Sequence, residues 1–426
     1  RKRLGNGVRV LDPSGRGDRY DPFAELSYSP EAMMRAARLV METDKGRETI
    51  FAERAASAVY AAALGAKLEG VPTLLYLREL TAEGPRGFVS RLGDLDDPGI
   101  RRALVDFLGA TPEEMGPRDF REDRFLASTW STMVTRLSPL LSDGILKMTG
   151  GSDFSAADLV GRPTTLYLMF REAELEYTKK VFQLVMLSLL TGLIRRGDLD
   201  PEGEGVPMLL ALDEAGRTPI PRLDDLVSTI SGRGMSALVY VQDLSQLESA
   251  YGRQQAQTVR GNCHTQVYYR PTEHDTAERI SRMTGKKSVR DIRVSSGGQH
   301  SEGLRERELI TADEVRQIPQ DRIIAFAGKK QPIYAQRLEW FNLLPGASEF
   351  VEDNPPPEPP ELPLPGVDTM NGAGGGGSAA RPDGGAKRRP RRTAEEPPAS
   401  GSEGGEERGR RGARLEREGG YVEPDV

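Results

Sequence analysis

Two adjacent carboxylates, Asp213 and Glu214, close the apolar run of "MLLALDEAGR" (208–217). An aspartate at the carboxyl end of a buried strand can hold the water shell of a magnesium ion. A glutamate beside it can orient or polarise an attacking water. A second run, "SALVYVQD" (236–243), carries Gln242 at its end, a neutral amide that can hydrogen-bond a terminal phosphate without repelling it. If the two runs are neighbouring strands, all three side chains open onto one edge. Each feature alone is weak, because an apolar strand ending in Asp-Glu more often caps the next helix. The pair at successive strand ends is far more specific. Arg233 sits in "SGRGM" between Gly232 and Gly234. Glycines there allow a tight turn that pushes the arginine outward, where its planar fork suits the phosphate oxygens of a neighbouring subunit. The plainer alternative is a solvent-exposed arginine with no role.

A magnesium site of this kind needs a glycine-rich loop, GxxxxGK[ST], to cradle the phosphates. None occurs in the 426 residues. "TGKKS" (284–288) and "AGKKQ" (327–331) come near. Neither has the earlier glycine at the needed spacing, and the second lacks Ser or Thr.

The elements that must position these residues alternate from about 156 onward. "TTLYLMF" (164–170), "VPMLLALDE", "SALVYVQD" and "TQVYYRP" (265–271) read as strands that are apolar throughout. Each is followed by a helix: roughly 174–196, then "RLDDLVSTISG", "LSQLESAYG" and "EHDTAERISRMTG". The alternation predicts a parallel sheet with helices on both faces, and such sheets hold ligands at the carboxyl ends of their strands. The first 24 residues read as a strand, "GVRVLDP", and a loop. Residues 25–155 show no strand alternation. Ser29 with Pro30 starts one helix, "ETIFAERAASAVYAAALGAKL" is a second, Asp97 with Pro98 starts a third, and "RFLASTWSTMVTRLSPLL" is a fourth. The expected layout is therefore α/β: a strand and loop at 1–24, an all-helical insertion at 25–155, the rest of the α/β domain at 156–345, and a disordered tail at 346–426. That tail is rich in Pro, Gly, Glu and Arg, with almost nothing apolar to bury. Its basic run at 387–392 reads as a solvated charge cluster before a nucleic-acid or lipid site.

With 29% charged and 37% hydrophobic residues the composition is ordinary for a globular protein, and a formal net charge of -6 excludes a generally basic nucleic-acid coat. A local basic channel stays possible. Cys263 is the only cysteine, so no internal disulfide exists. His264, His274 and His300 show no metal-ligand spacing. The most apolar stretch, "VFQLVMLSLLTGLI" (181–194), is too short to span a bilayer and reads as a buried helix. No signal-peptide pattern opens the chain, which begins at Arg1.

Four segments, "LLALDEAGRTPIPRLDDL", "GRGMSALVYVQDLSQLESAYG", "GNCHTQVYYRPTEHDTAERISRMTG" and "ITADEVRQIPQDRIIAFAGKKQPIYAQRLEWF", together resemble the TraG/TraD-type coupling proteins of type IV secretion systems. These are conjugative DNA-transfer ATPases akin to the FtsK-like DNA pumps. The likeness runs in order over 164–341, and "GVRVLDP" with the helical block fits it. It implies a RecA-like P-loop-type ATPase sheet with an inserted all-helical domain, and ATP with Mg2+ as cofactors. It places the metal on Asp213, nucleotide binding on Asp213 and Gln242, water activation on Glu214, sensing on Gln242, and a finger role in trans on Arg233. It further implies a homo-hexamer at the cytoplasmic face of the bacterial inner membrane, anchored by segments outside this sequence. Its partners would be relaxase or effector proteins, DNA, and components of the type IV secretion channel. Two departures stand out. The family usually has a large residue and then Pro where Ala215 and Gly216 stand, and often Ser where Asp243 puts a further negative charge near the site. In that family the phosphate-binding loop lies upstream of the "VRVLDP" strand, after a two-helix membrane anchor. The expectation is a truncated or split product, inactive alone; the alternative is a lineage that lost hydrolysis. The rival functions are a non-catalytic adaptor that binds secretion substrates through the helical block, and an FtsK-like double-stranded DNA pump.

Overall fold

The computed structural model describes residues 6–42, 49–111, 120, 123–199, 206–217, 219–294, 300–343, 346, 348, 352 and 358–364. β1 (Gly7–Asp12) turns back into the short β2 (Arg16–Gly17) and pairs in parallel with β3 (Thr164–Leu168), from Gly7 opposite Thr164 to Leu11 opposite Leu168. Between β2 and β3 the described chain is helical. The helices are α1 (Pro22–Leu26), α2 (Pro30–Met41), α3 (Thr49–Glu69), α4 (Thr73–Ala82), α5 (Gly84–Gly93), α6 (Pro98–Leu108), α7 (Arg124–Leu137), α8 (Asp143–Thr149) and α9 (Ala156–Gly161).

Local chemistry starts these helices. Ser29 accepts from the Ala32 N–H and Asp97 from the Ile100 N–H, each with proline in the first turn behind it. The buried face of α3 is almost all alanine, at 55, 56, 58, 61, 62, 63 and 66, and side chains that small let neighbouring helices approach closely. The sequence reading passed over α4 and α5. α4 has no side-chain cap and buries five consecutive residues, Thr73–Leu77, which hides the helical period. α5 carries glycine at 84, 87 and 93, and glycine is a poor helix former.

α10 (Leu175–Leu199) crosses from β3 to β4 (Met208–Leu212) and joins two cores. Val181, Leu184 and Val185 pack into the helical block, whereas Met186, Leu190 and Leu193 pack under β4 and its neighbour. Among the described residues no helix is long and apolar enough to cross a membrane. β4 pairs in parallel with β5 (Met235–Val239), Met208 opposite Met235 and Leu212 opposite Val239. α11 (Leu223–Thr229), α12 (Leu244–Tyr251) and α13 (Arg253–Asn262) contribute Leu223, Leu226, Leu247, Ala256 and Val259 to the core beneath this pair.

Two expectations about the sheet are corrected. β4 and β5 are apolar throughout, yet among the described residues they are covered on one face: Leu209 is 63% and Leu238 42% exposed. And the four expected strands do not form one parallel sheet among the described residues: β3 pairs with β1, β4 with β5, and β6 (Thr265–Tyr268), expected to be the fourth parallel strand, pairs antiparallel with β9 (Arg322–Ala327), which pairs with β10 (Ile333–Gln336). Between them lie α14 (His274–Thr284), the antiparallel hairpin of β7 (Lys286–Val294) and β8 (His300–Glu308), and α15 (Ala312–Arg316). Strand–helix alternation sees only chain neighbours, and the partner of β6 lies far downstream.

The two near-miss lysine motifs are also placed. Gly285 is the C-cap of α14 and Lys286 opens β7; Gly328, at φ 58°, lies in the turn between β9 and β10. A phosphate loop must open a helix, and neither segment does. The disorder expected for 346–426 and the basic run at 387–392 fall outside the described residues, apart from 346, 348, 352 and 358–364.

Candidate functional site

β4 and β5 reach their carboxyl ends side by side. The Tyr240 N–H donates to the Leu212 carbonyl at 3.0 Å, and the Ala215 N–H returns to the Tyr240 carbonyl at 3.0 Å. These two bonds carry the pairing past the strand ends, so Glu214 and Gln242 arrive together. Gln242 Nε2 donates to Glu214 Oε1 at 3.1 Å, and Gln246 Nε2 donates to Gln242 Oε1 at 3.1 Å. Arg217 Nε lies 3.7 Å from Glu214 Oε2. The carboxylate is thus held from both sides, with one oxygen toward an amide and the other toward a guanidinium. Gln246 and Arg217 were missed in the sequence. The only signal was spacing, four residues after Gln242 and three after Glu214, which means something only once a helix start and a turn are known.

Glu214 stands at φ 52°, a left-handed backbone for a residue with a side chain. Such a conformation costs on the order of 1–3 kcal/mol and persists only where its surroundings hold it. Tyr251 supplies part of that hold: its hydroxyl donates to the Ala215 carbonyl at 3.0 Å and accepts from the Ile220 N–H at 2.9 Å. Burial pushes the Tyr251 pKa up to about 12, so the hydroxyl stays protonated at neutral pH and can serve both partners. Tyr251→Phe should therefore cost about 1–3 kcal/mol, the penalty for stranding two backbone groups. A denaturant midpoint unchanged from the parent would show that the bridge contributes nothing.

The extra charge at Asp243 has another employment. Its carboxylate caps α12, accepting from the Ser245 hydroxyl at 2.6 Å and from the Gln246 N–H at 2.8 Å. The Ser245 hydroxyl first, then that backbone N–H, hold its pKa below the usual carboxylate range. Asp243 is directed at the helix N-terminus and positions the first turn that carries Gln246. Gly216 lets that turn come close: a Cβ there would lie 3.1 Å from Gln246 Cβ.

Asp213 is exposed at the edge, immediately before Glu214. Among the described residues no group of three or more His, Cys, Asp or Glu could hold a metal. One exposed carboxylate nevertheless suits Mg2+, which keeps most of its waters and takes one or two carboxylates together with substrate phosphates.

Arg233 is not brought to this cluster. It precedes β5, at the amino edge of the strands, one five-residue strand away, or roughly 16 Å. Nor does it point outward as expected. Its Nε donates to Asp198 Oδ1 at 2.8 Å and its Nη1 to the Thr229 carbonyl at 2.7 Å. Its side chain lies against Gly197, where a Cβ would come within 3.1 Å of it. The turn at Gly234, φ 68°, folds the arm back onto the end of α10. Asp198 is remote in sequence and could not be read as its partner.

A family model described as Type IV secretory system Conjugative DNA transfer matches residues 108–359, more than half of the chain. The Escherichia coli conjugal transfer protein TraG is 23% identical over 355 residues, covering 73% of this chain and 53% of that protein. Protein VirD4 of Rhizobium radiobacter is 22% identical over 367 residues, covering 80% and 51%. The chain thus spans about half the length of the curated relatives it matches. Among solved structures, the unbound bacterial conjugative coupling protein TrwBdeltaN70 superposes with a TM-score of 0.60 at 19% identity, covering 78% of this chain and 73% of that one. Plasmid coupling protein TrwB in complex with ADP and Mg2+ gives 0.58 at 18% identity, covering 78% and 74%. The shared fold is the RecA-like α/β sheet with a helical insertion, and the chain belongs to the type IV secretory system conjugative DNA transfer family.

Proposed function

We propose that the chain is the motor and docking part of a type IV secretion coupling protein, which recruits a relaxase–DNA complex or an effector protein and delivers it to the secretion channel. The observation that carries the reading is the Gln246–Gln242–Glu214 relay at the carboxyl edge of β4 and β5, on a chain of this family. In this reading ATP with Mg2+ supplies the transferable phosphoryl group, and Asp213 holds the metal's water shell. Glu214 takes the proton of the attacking water. Gln242, its amide aligned by Gln246, keeps the Glu214 carboxylate in place and reports the terminal phosphate. Arg233 serves a neighbouring subunit's phosphates in a homo-hexameric ring at the cytoplasmic face of the inner membrane, released for that purpose from Asp198. The helical block between α1 and α9 recognises cargo, since an inserted unit without strands has no part in the nucleotide chemistry.

Two measurements on the purified chain test this. It should show no steady ATP turnover, because this sequence contains no GxxxxGK[ST] motif to hold the phosphates, and it should still capture a relaxase–DNA complex. Steady turnover above background would overturn the expectation that the chain is inactive without a phosphate-binding loop. Failure to capture relaxase or effector, with the fold intact, would overturn the docking role. A protein that captures cargo and never turns over ATP, even when a phosphate-binding loop is supplied ahead of β1, is the non-catalytic adaptor.

A further inference from the structure

The proline-rich sequence "EPPELPLP" (358–365) lies far from the site in sequence, yet part of it is built into the sheet. The Gly17 N–H donates to the Pro360 carbonyl at 2.8 Å, and the Leu362 N–H donates to the Gly15 carbonyl at 2.8 Å. Arg16 and Glu361 face each other as an antiparallel bridge. β2 is therefore paired on both sides, with β1 on one and with this strand on the other. Two ion pairs accompany the backbone pairing. Glu358 lies 3.6 Å from Arg16, and Glu361 lies 3.3 Å from Lys147 on α8.

We propose that the outer edge of β2 is a docking edge for an acidic, proline-spaced strand, and that its occupant is this chain's own Glu358–Leu364, acting as a strap in cis. The edge is shaped for a strand. Gly15 and Gly17 stand at φ 85° and 93°, and a Cβ on Gly17 would lie 2.4 Å from the Val10 carbonyl oxygen, so only glycine turns the chain sharply enough to present these backbone groups. The strap meets what the edge offers. Pro360 has no N–H to leave unpaired and uses only its carbonyl, while Leu362 has an N–H and uses it. On the strap's far side the alternate positions 359, 361 and 363 are Pro, Glu and Pro. Two of these three cannot donate, so the strap also ends the sheet and blocks further strand addition.

The strap joins two parts of the fold. Glu358 holds β2 of the sheet and Glu361 holds α8 of the helical block. Those parts already meet closely, since a Cβ on Gly144 of α8 would lie 2.3 Å from the Pro13 carbonyl oxygen. The ion pairs are exposed and contribute little, so the two backbone hydrogen bonds set the strength and the charges set the choice of strand.

The test uses the full chain, its Leu362→Pro variant, and a free peptide of residues 355–366. Amide hydrogen exchange is read at Gly17, and tryptic cleavage after Arg16 is followed in parallel. In the parent chain the Gly17 amide should be protected. Leu362→Pro, which removes the N–H donated to Gly15, should speed both exchange and cleavage about tenfold, the scale of one to two net hydrogen bonds. The peptide should bind the variant and restore protection, and should not bind the parent, whose edge is filled. Equal exchange in parent and variant would overturn the proposal, as would peptide binding of equal strength to both. Protection in the parent that rises with protein concentration would assign the strap to a second copy and overturn its action in cis.

Discussion

Glu214→Gln is expected to stop ATP turnover and leave nucleotide binding near normal, measured in a form of the protein that carries a phosphate-binding loop ahead of β1. Glutamine keeps the size of the side chain, and its amide oxygen still accepts from Gln242 Nε2, which donates to Glu214 at 3.1 Å in the parent. The backbone at φ 52° bears a side chain of the same branching, so strain is unchanged. What is removed is a carboxylate able to take a proton from water. Loss of a positioned general base costs on the order of 10²–10⁴-fold. The measurement is steady-state turnover beside equilibrium binding of a nucleotide. If affinity collapses together with turnover, Glu214 is a structural member of the edge and its assignment as base is wrong.

The second large effect concerns Arg233. As a finger across a subunit interface, its removal in Arg233→Ala should lower turnover by roughly 10³–10⁵-fold with little loss of nucleotide binding. The structure adds a competing explanation, because Arg233 is bound to Asp198 and to the Thr229 carbonyl within its own subunit. Asp198→Ala separates the two. If Arg233 serves only to staple the end of α10 to the start of β5, Asp198→Ala should reproduce the loss. If Arg233 acts on a neighbour, Asp198→Ala frees it and turnover persists. Mixing Arg233→Ala subunits with Glu214→Gln subunits should then restore part of the activity, since some interfaces pair an intact Glu214 with an intact Arg233. Mixed assemblies that form and recover nothing would remove the trans role.

Much of this molecule was legible as one-dimensional pattern. The caps at Ser29 and Asp97 act within four residues of themselves, and a cap bond needs no tertiary contact to be recognised. The apolar runs that end at Asp213 and Gln242 announced strand ends, and the hydrophobic effect that buries such runs is indifferent to what lies elsewhere. Other features were hidden because their partners are remote. α4 buries its first five residues on all sides, so its period is masked by a core that only the folded chain creates. β6 takes an antiparallel place beside β9, a choice between ladders that no local run of residues can express.

The candidate site divides along the same line. By itself the sequence determined that an aspartate, a glutamate and a glutamine would stand at the ends of two strands, because strand length and apolar content are local properties. Only the tertiary structure decided how they meet. Parallel pairing of β4 and β5 sets Gln242 against Glu214, α12 brings Gln246 behind Gln242, and Tyr251 clamps the strained turn. It likewise turned Arg233 inward, because Asp198, remote in the chain, ends its helix beside the turn at Gly234. A charged side chain takes the nearest opposite charge in space, and distance in space is what folding alone assigns.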